Sequence, residues 1–203
     1  MVRWIILLCG FTGSAFWFTH VKSTELQFKV TRNDSAVGTL TIQQQVDQDQ
    51  TTYTLSSDVV VDMIYTIQVS EKITDVYKTG VLHASSHQRQ VNGLGRAKNQ
   101  LTREGDTYQI VNEQNRKRSL SEVIHASVVS IYFNEPKESL WVYSQNFQKM
   151  VFMEKTGPHC FSIALPNGNI SNYTYEAGMV KTVVTDTFIG TLRFINQNNL
   201  SEK

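Results

Sequence analysis

Two histidines in a strand-like segment are the first candidates for chemistry. His83 and His87 lie four residues apart, and imidazole is both a common metal ligand and a common general base. Side chains at this spacing on a strand share a face but lie about 13 Å apart, too far to hold one ion without a sharp bend. We therefore expect two polar residues on a partly solvated strand. A hydrolase that uses His83 or His87 is retained as the third hypothesis for function.

A second candidate is the adjacent pair His159 and Cys160, because a thiol beside an imidazole can act as a nucleophile with its base. Neighbours on a strand point to opposite faces, so these two side chains are not expected to pair with each other. The sequence contains no glycine-rich phosphate loop, no H-E-x-x-H and no G-x-S-x-G. We assign no catalytic residue, metal or cofactor, and we expect a protein without enzymatic activity.

Composition places these residues in one ordinary globular domain. The 203 residues carry 19 Lys and Arg against 18 Asp and Glu, and 40% of them are hydrophobic. Without a broad basic field, nucleic acid is excluded as an expected partner. Two cysteines are too few for a disulfide scaffold.

The first 23 residues have the form of a secretory signal peptide. The cationic start Met1–Arg3 leads into an apolar run over residues 4–18 that polar residues interrupt, so the run is shorter than the roughly 20 residues of a membrane span. Cleavage is expected after Ser23, with Ala15 as the alternative. No transmembrane span then remains, and we expect a periplasmic or secreted protein of the Gram-negative envelope.

From Glu25 onward, apolar residues recur at every second position, which is typical of β-strands. In the first strand Leu26, Phe28 and Val30 share one face. Turn residues separate successive segments, most clearly at 166–169, and predict hairpin after hairpin. The pattern therefore predicts about ten antiparallel strands.

The alternation breaks once, in the middle of the chain. Ser119–Glu122 has the form of a capping box, and apolar residues from Leu120 to Tyr132 recur at helical spacing until Pro136 ends the run. This predicts one amphipathic α-helix of three to four turns.

Together these elements predict a mainly β domain over residues 24–198, followed by a C-terminal tail at 199–203. The absence of a strand-helix-strand repeat excludes doubly wound and TIM-barrel folds. We expect a strongly curved antiparallel sheet, an open half-barrel, with the helix covering its concave face. A closed lipocalin-like barrel is the alternative.

Short motifs along nearly all of the exported chain carry a resemblance. They include Leu26-x-Phe28-x-Val30, Val37-Gly38-x-Leu40, Tyr77-x-x-Gly80-x-Leu82 and Leu165-Pro166-Asn167-Gly168. In this order they resemble bacterial secreted proteins classed as domains of unknown function. Those families are similar in outline to the periplasmic lipoprotein carriers LolA and LolB, whose unclosed barrel and helical lid enclose acyl chains. The resemblance implies a fold and brings no catalytic residues.

The leading hypothesis is a non-enzymatic protein that binds a hydrophobic or amphipathic, lipid-like ligand between helix and sheet. The candidate ligand-binding residues are Leu120, Ile124, Val128 and Ile131 on the lid and Phe152 and Met153 in the lining. The basic run Arg116, Lys117 and Arg118 is the candidate site for an anionic headgroup. The alternative is an envelope structural or interaction module whose concave side is packed and which binds an envelope protein through a sheet edge or loop.

Overall fold

The structure is a computed structural model that describes residues 21–198. Nearly all of the predicted signal peptide and the whole of the predicted tail at 199–203 lie outside the described residues. The strands are β1 (Lys22–Arg32), β2 (Ser35–Asp47), β3 (Gln50–Asp62), β4 (Thr66–Lys78), β5 (Val81–Val91), β6 (Leu94–Glu104), β7 (Thr107–Val111), β8 (Lys117–Leu120), β9 (Leu140–Ser144), β10 (Lys149–Gly157), β11 (Cys160–Ala164), β12 (Ile170–Glu176), β13 (Met179–Thr187) and β14 (Gly190–Asn196). β1 includes Lys22 and Ser23, which pair with Val46 and Gln45 of β2.

All fourteen strands belong to one antiparallel sheet, in the order β8-β7-β6-β5-β4-β3-β2-β1-β14-β13-β12-β11-β10-β9. β8 and β9 are its two edges, so the sheet is not closed. It is nevertheless strongly curved, because the guanidinium carbon of Arg89 on β5 lies 5.9 Å from the ring centroid of Phe188 in the β13–β14 turn. A flat sheet would separate those elements by more than about 20 Å. Within residues 21–198, no helix is long and apolar enough to cross a membrane.

The mainly β, antiparallel and open character was predicted, but the number of strands was underestimated. β8 at the sheet edge has three exposed residues out of four, and the first three residues of β6, Leu94–Arg96, are all exposed. Strands with a solvated face or edge do not need apolar alternation, because their backbone hydrogen bonds form whatever the side chains are. Their sequences therefore lack the signal on which the count of about ten depended.

The predicted lid helix is wrong, because the described chain contains only a short 3-10 turn at Ser130–Tyr132. Ser127 and Ser130 use their hydroxyls locally: each backbone N–H donates to the other's Oγ, at 2.9 and 3.2 Å. Such bonds compete with the helical hydrogen bonds of the same segment. β-branched residues at 123, 124, 128, 129 and 131 lower its helix propensity further.

We call residues 124–136 the plug. The carbonyl of Ile124 accepts from Leu82 N–H, Val128 N–H donates to the carbonyl of Tyr143, and Glu135 N–H donates to the carbonyl of Gly178. The plug thus runs from the start of β5 past β9 to the β12–β13 turn. Because its backbone polar groups find these partners, the plug can cover the concave face without being helical.

Candidate functional site

A cavity of 520 Å³ lies on the concave face of the sheet. Its apolar lining comes from strands on both sides of β1: Leu40, Leu55, Val59, Val69, Ile73, Leu192 and Phe194. Val128 and Tyr132 of the plug form its floor, and the turns between β9 and β10, β11 and β12, and β13 and β14 line the opposite end. We call that opposite end the mouth.

The floor is closely packed at Tyr132, whose hydroxyl is not ionised. The ring of Tyr132 packs edge-on against Phe28, at a centroid distance of 5.4 Å, and against Tyr173, at 6.2 Å. Burial raises the pKa of the Tyr132 and Tyr173 hydroxyls, so both remain neutral at ordinary pH. Edge-to-face rings of this kind stabilise a packed arrangement beyond their buried area.

Two oppositely charged side chains lie in the cavity wall. Glu71 and Arg89 face each other in the β4–β5 register and both line the cavity. Oε1 of Glu71 is hydrogen-bonded to Nε2 of buried His87 at 2.7 Å. Among residues 21–198 no carboxylate lies within ion-pair distance of Arg89, whose guanidinium lies over the ring of Phe188. Arg89 is therefore an unpaired cation in the cavity wall.

A second polar cluster fixes the plug beneath the cavity. Oδ2 of Asp75 accepts hydrogen bonds of 2.6 Å from the hydroxyl of Ser127 and from the amide of Gln145. The hydroxyl of Tyr77 donates to Oγ of Ser130 at 3.4 Å. Burial raises the pKa of the Asp75 carboxyl, and the hydrogen bond from Ser127 opposes that shift. The cluster ties β4 and the β9–β10 turn to the plug.

The candidate histidines and Cys160 do not come together in one site. A register shift between Leu82 and Ala84 makes His83 the extra, half-buried residue of a bulge, while His87 is buried. His159 is hydrogen-bonded through Nδ1 to Glu135 at 2.9 Å, near the far end of the plug. In the described part of the chain, no three His, Cys, Asp or Glu side chains are placed to share a metal ion.

The candidate lid residues are dispersed because the segment is not a helix. Val128 lines the cavity. Ile124 and Ile131 are buried in the core, and Leu120 is half-buried at the end of β8. Four residues that a helix would align on one face thus have three different surroundings.

Phe152 and Met153 point to opposite faces of β10, as neighbours on a strand must. Met153 is fully buried in the core, whereas Phe152 is exposed and packs on Trp141 at 5.3 Å. Neither lines the cavity. The basic run 116–118 is exposed at the β7–β8 turn and along β8, away from the cavity lining.

Glu71 and Asp75 were missed by the sequence analysis, although the sequence carries a signal for both. Ile67, Val69, Ile73 and Tyr77 alternate as an inward-facing set on β4. The two positions where that parity lacks an apolar residue are 71 and 75. An acidic residue on the inward, otherwise apolar face of a strand needs a hydrogen-bond or ion-pair partner, or has a function there. Here Glu71 faces the cavity and Asp75 holds the plug.

Comparison with known proteins gives a family and a fold. Residues 28–197 match a family described as a domain of unknown function, DUF6134. A beta-barrel-like protein of domain of unknown function DUF1849 from Brucella abortus is similar in structure, with a TM-score of 0.51 and 10% identity over 87% of this chain and 95% of that chain. At this identity the likeness concerns the fold alone. A search of curated proteins found no significant match.

These matches confirm the resemblance to a domain of unknown function. They give no support to a specific likeness to LolA or LolB.

Proposed function

The chain belongs to the DUF6134 family of domains of unknown function, and we propose that it is a non-enzymatic protein that binds an amphipathic, lipid-like ligand in its concave cavity. The observation that carries this proposal is the cavity itself: 520 Å³, which is within the range of about 300–1,000 Å³ typical of small-molecule sites.

The lining suits a ligand with an apolar chain. Leu55, Val59 and Val69 present aliphatic side chains from adjacent strands, and Leu192 does so from the other side. Burying an acyl chain against such a wall stabilises the complex by about 25 cal/mol for each Å² of apolar surface removed from water. At the floor the end of the chain would meet Tyr132, whose hydroxyl is not ionised.

The mouth suits a polar headgroup. Asn146, Asn167 and Asn169 lie in the turns that line it, and the guanidinium of Arg89 lies over Phe188 of the β13–β14 turn. A few polar groups at one end of an apolar pocket are what set a ligand's orientation. The ligand is therefore placed with its chain toward the plug and its head toward the turns.

The proposal includes export to the periplasm or beyond. Its support is the cationic and apolar start of the sequence. N-terminal sequencing of the protein recovered from a Gram-negative periplasm tests it: a chain that begins at residue 24 or 16 is expected, and an intact Met1 in the cytoplasm would contradict export.

The binding proposal is tested with two matched tryptophan variants on β3. Val59 lines the cavity and Val60 is exposed on the outer face, so Val59→Trp fills the cavity while Val60→Trp leaves it open. We expect mass spectrometry of organic extracts to find a stoichiometric lipid-like molecule in the wild-type protein and in Val60→Trp, and much less in Val59→Trp.

Two outcomes would contradict the proposal. One is a wild-type protein that carries no such molecule and takes up none from lipid mixtures. The other is equal loading of Val59→Trp and Val60→Trp. A stable protein partner recovered by mild crosslinking with an empty cavity would favour the interaction-module alternative.

A further inference from the structure

Large apolar side chains are exposed at two hairpin tips. In the β3–β4 turn, Met63, Ile64 and Tyr65 are 51%, 99% and 67% exposed, and Leu94 at the β5–β6 turn is 60% exposed. Single exposed apolar residues are ordinary, but a contiguous group marks an interaction surface.

Hydrogen bonds connect the two tips. Asn92 N–H donates to the carbonyl of Gln68 at 2.8 Å, and Gln68 N–H donates to Oδ1 of Asn92 at 2.8 Å. These bonds join the start of β4 to the β5–β6 turn. The tips that carry Met63–Tyr65 and Leu94 are therefore neighbours at one end of the sheet.

A basic group lies at the next hairpin on the same end of the sheet. The β3–β4, β5–β6 and β7–β8 turns are alternate turns of an antiparallel meander, so they lie at one end of the sheet. Arg116 is exposed at the third turn, and Lys117 and Arg118 are exposed at the start of β8. We call Met63–Tyr65, Leu94 and Arg116–Arg118 together the tip surface.

Charge around the tip surface is positive. The segments 62–66, 92–96 and 112–118 contain four basic residues and two acidic ones. One of the acids, Asp62, accepts a hydrogen bond from the hydroxyl of Thr66. Apolar side chains beside unpaired basic residues complement an anionic lipid surface, where aliphatic groups enter the headgroup layer and basic groups remain at the phosphates.

We propose that the tip surface docks the protein on an anionic lipid bilayer. The apolar tips enter the interface and Arg116–Arg118 contact the lipid phosphates. In antiparallel order the turns that line the cavity mouth lie at the same end of the sheet, so docking brings the mouth to the bilayer. This inference goes beyond the proposed ligand and does not depend on it.

The test is co-sedimentation of the purified mature protein with phosphatidylglycerol vesicles and with phosphatidylcholine vesicles. We expect binding to the former that weakens with added salt. Replacing Arg116, Lys117 and Arg118 together by Gln is expected to weaken binding about a hundredfold, since each basic residue contributes about 1 kcal/mol near an anionic surface and 1.4 kcal/mol is a factor of ten. The double variant Ile64→Ser/Tyr65→Ser is expected to lose at least tenfold in affinity for phosphatidylglycerol vesicles.

The control removes three positive charges elsewhere. Lys29, Lys72 and Lys78 are exposed on β1 and β4, and their joint replacement by Gln is expected to leave vesicle binding within about threefold of the wild type. Equal loss in the control would show a mere net-charge effect and overturn the proposal. So would unchanged binding of the Ile64→Ser/Tyr65→Ser variant, or absence of binding to either vesicle.

A competing occupant of the tip surface is a second copy of this chain. Analytical ultracentrifugation without lipid separates the two: we expect a monomer. A dimer that the Ile64→Ser/Tyr65→Ser variant abolishes would assign the surface to self-association and overturn the proposal. Urea unfolding of every variant is expected to match the wild type, because all the altered side chains are exposed.

Discussion

The hydroxyl of Ser127 donates a 2.6 Å hydrogen bond to Oδ2 of Asp75 and so ties the plug to β4. Both residues are fully buried, and Gln145 donates to the same oxygen. The floor of the cavity is thus held by a polar anchor as well as by apolar packing.

Removing the Ser127 hydroxyl should destabilise the protein. Ser127→Ala leaves a buried carboxyl with one donor fewer, which costs about 1–3 kcal/mol. Urea unfolding measures the loss. Ser56, exposed on the outer face of β3, is the control, and Ser56→Ala is expected to change stability by less than about 0.5 kcal/mol. Equal effects of the two changes would refute the anchor.

Asp75 should make stability fall as pH rises. Its pKa is raised by burial above the usual 3.8, so the folded state holds the proton more tightly than the unfolded state between 3.8 and the folded value. Stability from this group is therefore present at low pH and is lost as pH rises through that window. Asp75→Asn removes the titration, and its stability relative to wild type should rise with pH. Urea unfolding of both proteins across a pH series tests this, and a constant difference would contradict it.

Ile124 and Val123 distinguish the plug from a helix. Ile124 is fully buried and Val123 is exposed. Ile124→Ala should cost about 2–5 kcal/mol, whereas Val123→Ala should cost less than about 0.5 kcal/mol. Thermal or urea unfolding measures both. Similar losses would mean that both side chains are buried and would contradict this conformation of the plug.

Gly38 should tolerate no side chain. A Cβ at this position on β2 would collide with the backbone oxygen of Asp58 and lie 2.8 Å from Cα of Val59. Gly38→Ala therefore forces β2 and β3 apart, at a cost of about 1–3 kcal/mol or more. Gly95 has nothing within 4 Å of the same position, so Gly95→Ala is the control. Equal stability of the two variants in urea unfolding would exclude the close approach of the strands.

Arg89 should distinguish ligands by charge, provided that the cavity binds amphiphiles. Arg89→Ala is expected to weaken the binding of dodecanoic acid roughly tenfold or more, since a hydrogen bond to a charged group contributes about 1.5–3 kcal/mol. The binding of dodecanol should remain nearly unchanged. Isothermal titration of both probes measures this. Arg193→Ala on the outer face of β14 is the control. Equal loss for both probes would show that Arg89 acts through packing.

Much of the sheet could be predicted because strand alternation is local. Leu26, Phe28 and Val30 are buried on one side of β1 as predicted, and the inward set of β4 follows the same parity. The edge strand β8 was not predicted, because none of its side chains has to be apolar. The cavity residue Arg89 was not predicted, because its role depends on the lack of a carboxylate partner. Arg89 lacks that partner because Glu71 is hydrogen-bonded to His87 instead.

Alternation of apolar residues, a property of adjacent positions, was sufficient to establish a mainly antiparallel β domain and to indicate which faces of most strands are buried. The conformation of the plug was settled by distant partners: Ser127 bonds to Asp75 across 52 residues and Gln145 bonds to it across 70. The helical spacing of apolar residues over 120–132 reflects only a local preference for helix. The segment does not form a helix when its backbone and hydroxyl groups make hydrogen bonds with the sheet. The cavity exists for the same reason, because its walls come from strands at both ends of the chain that only the folded sheet brings face to face.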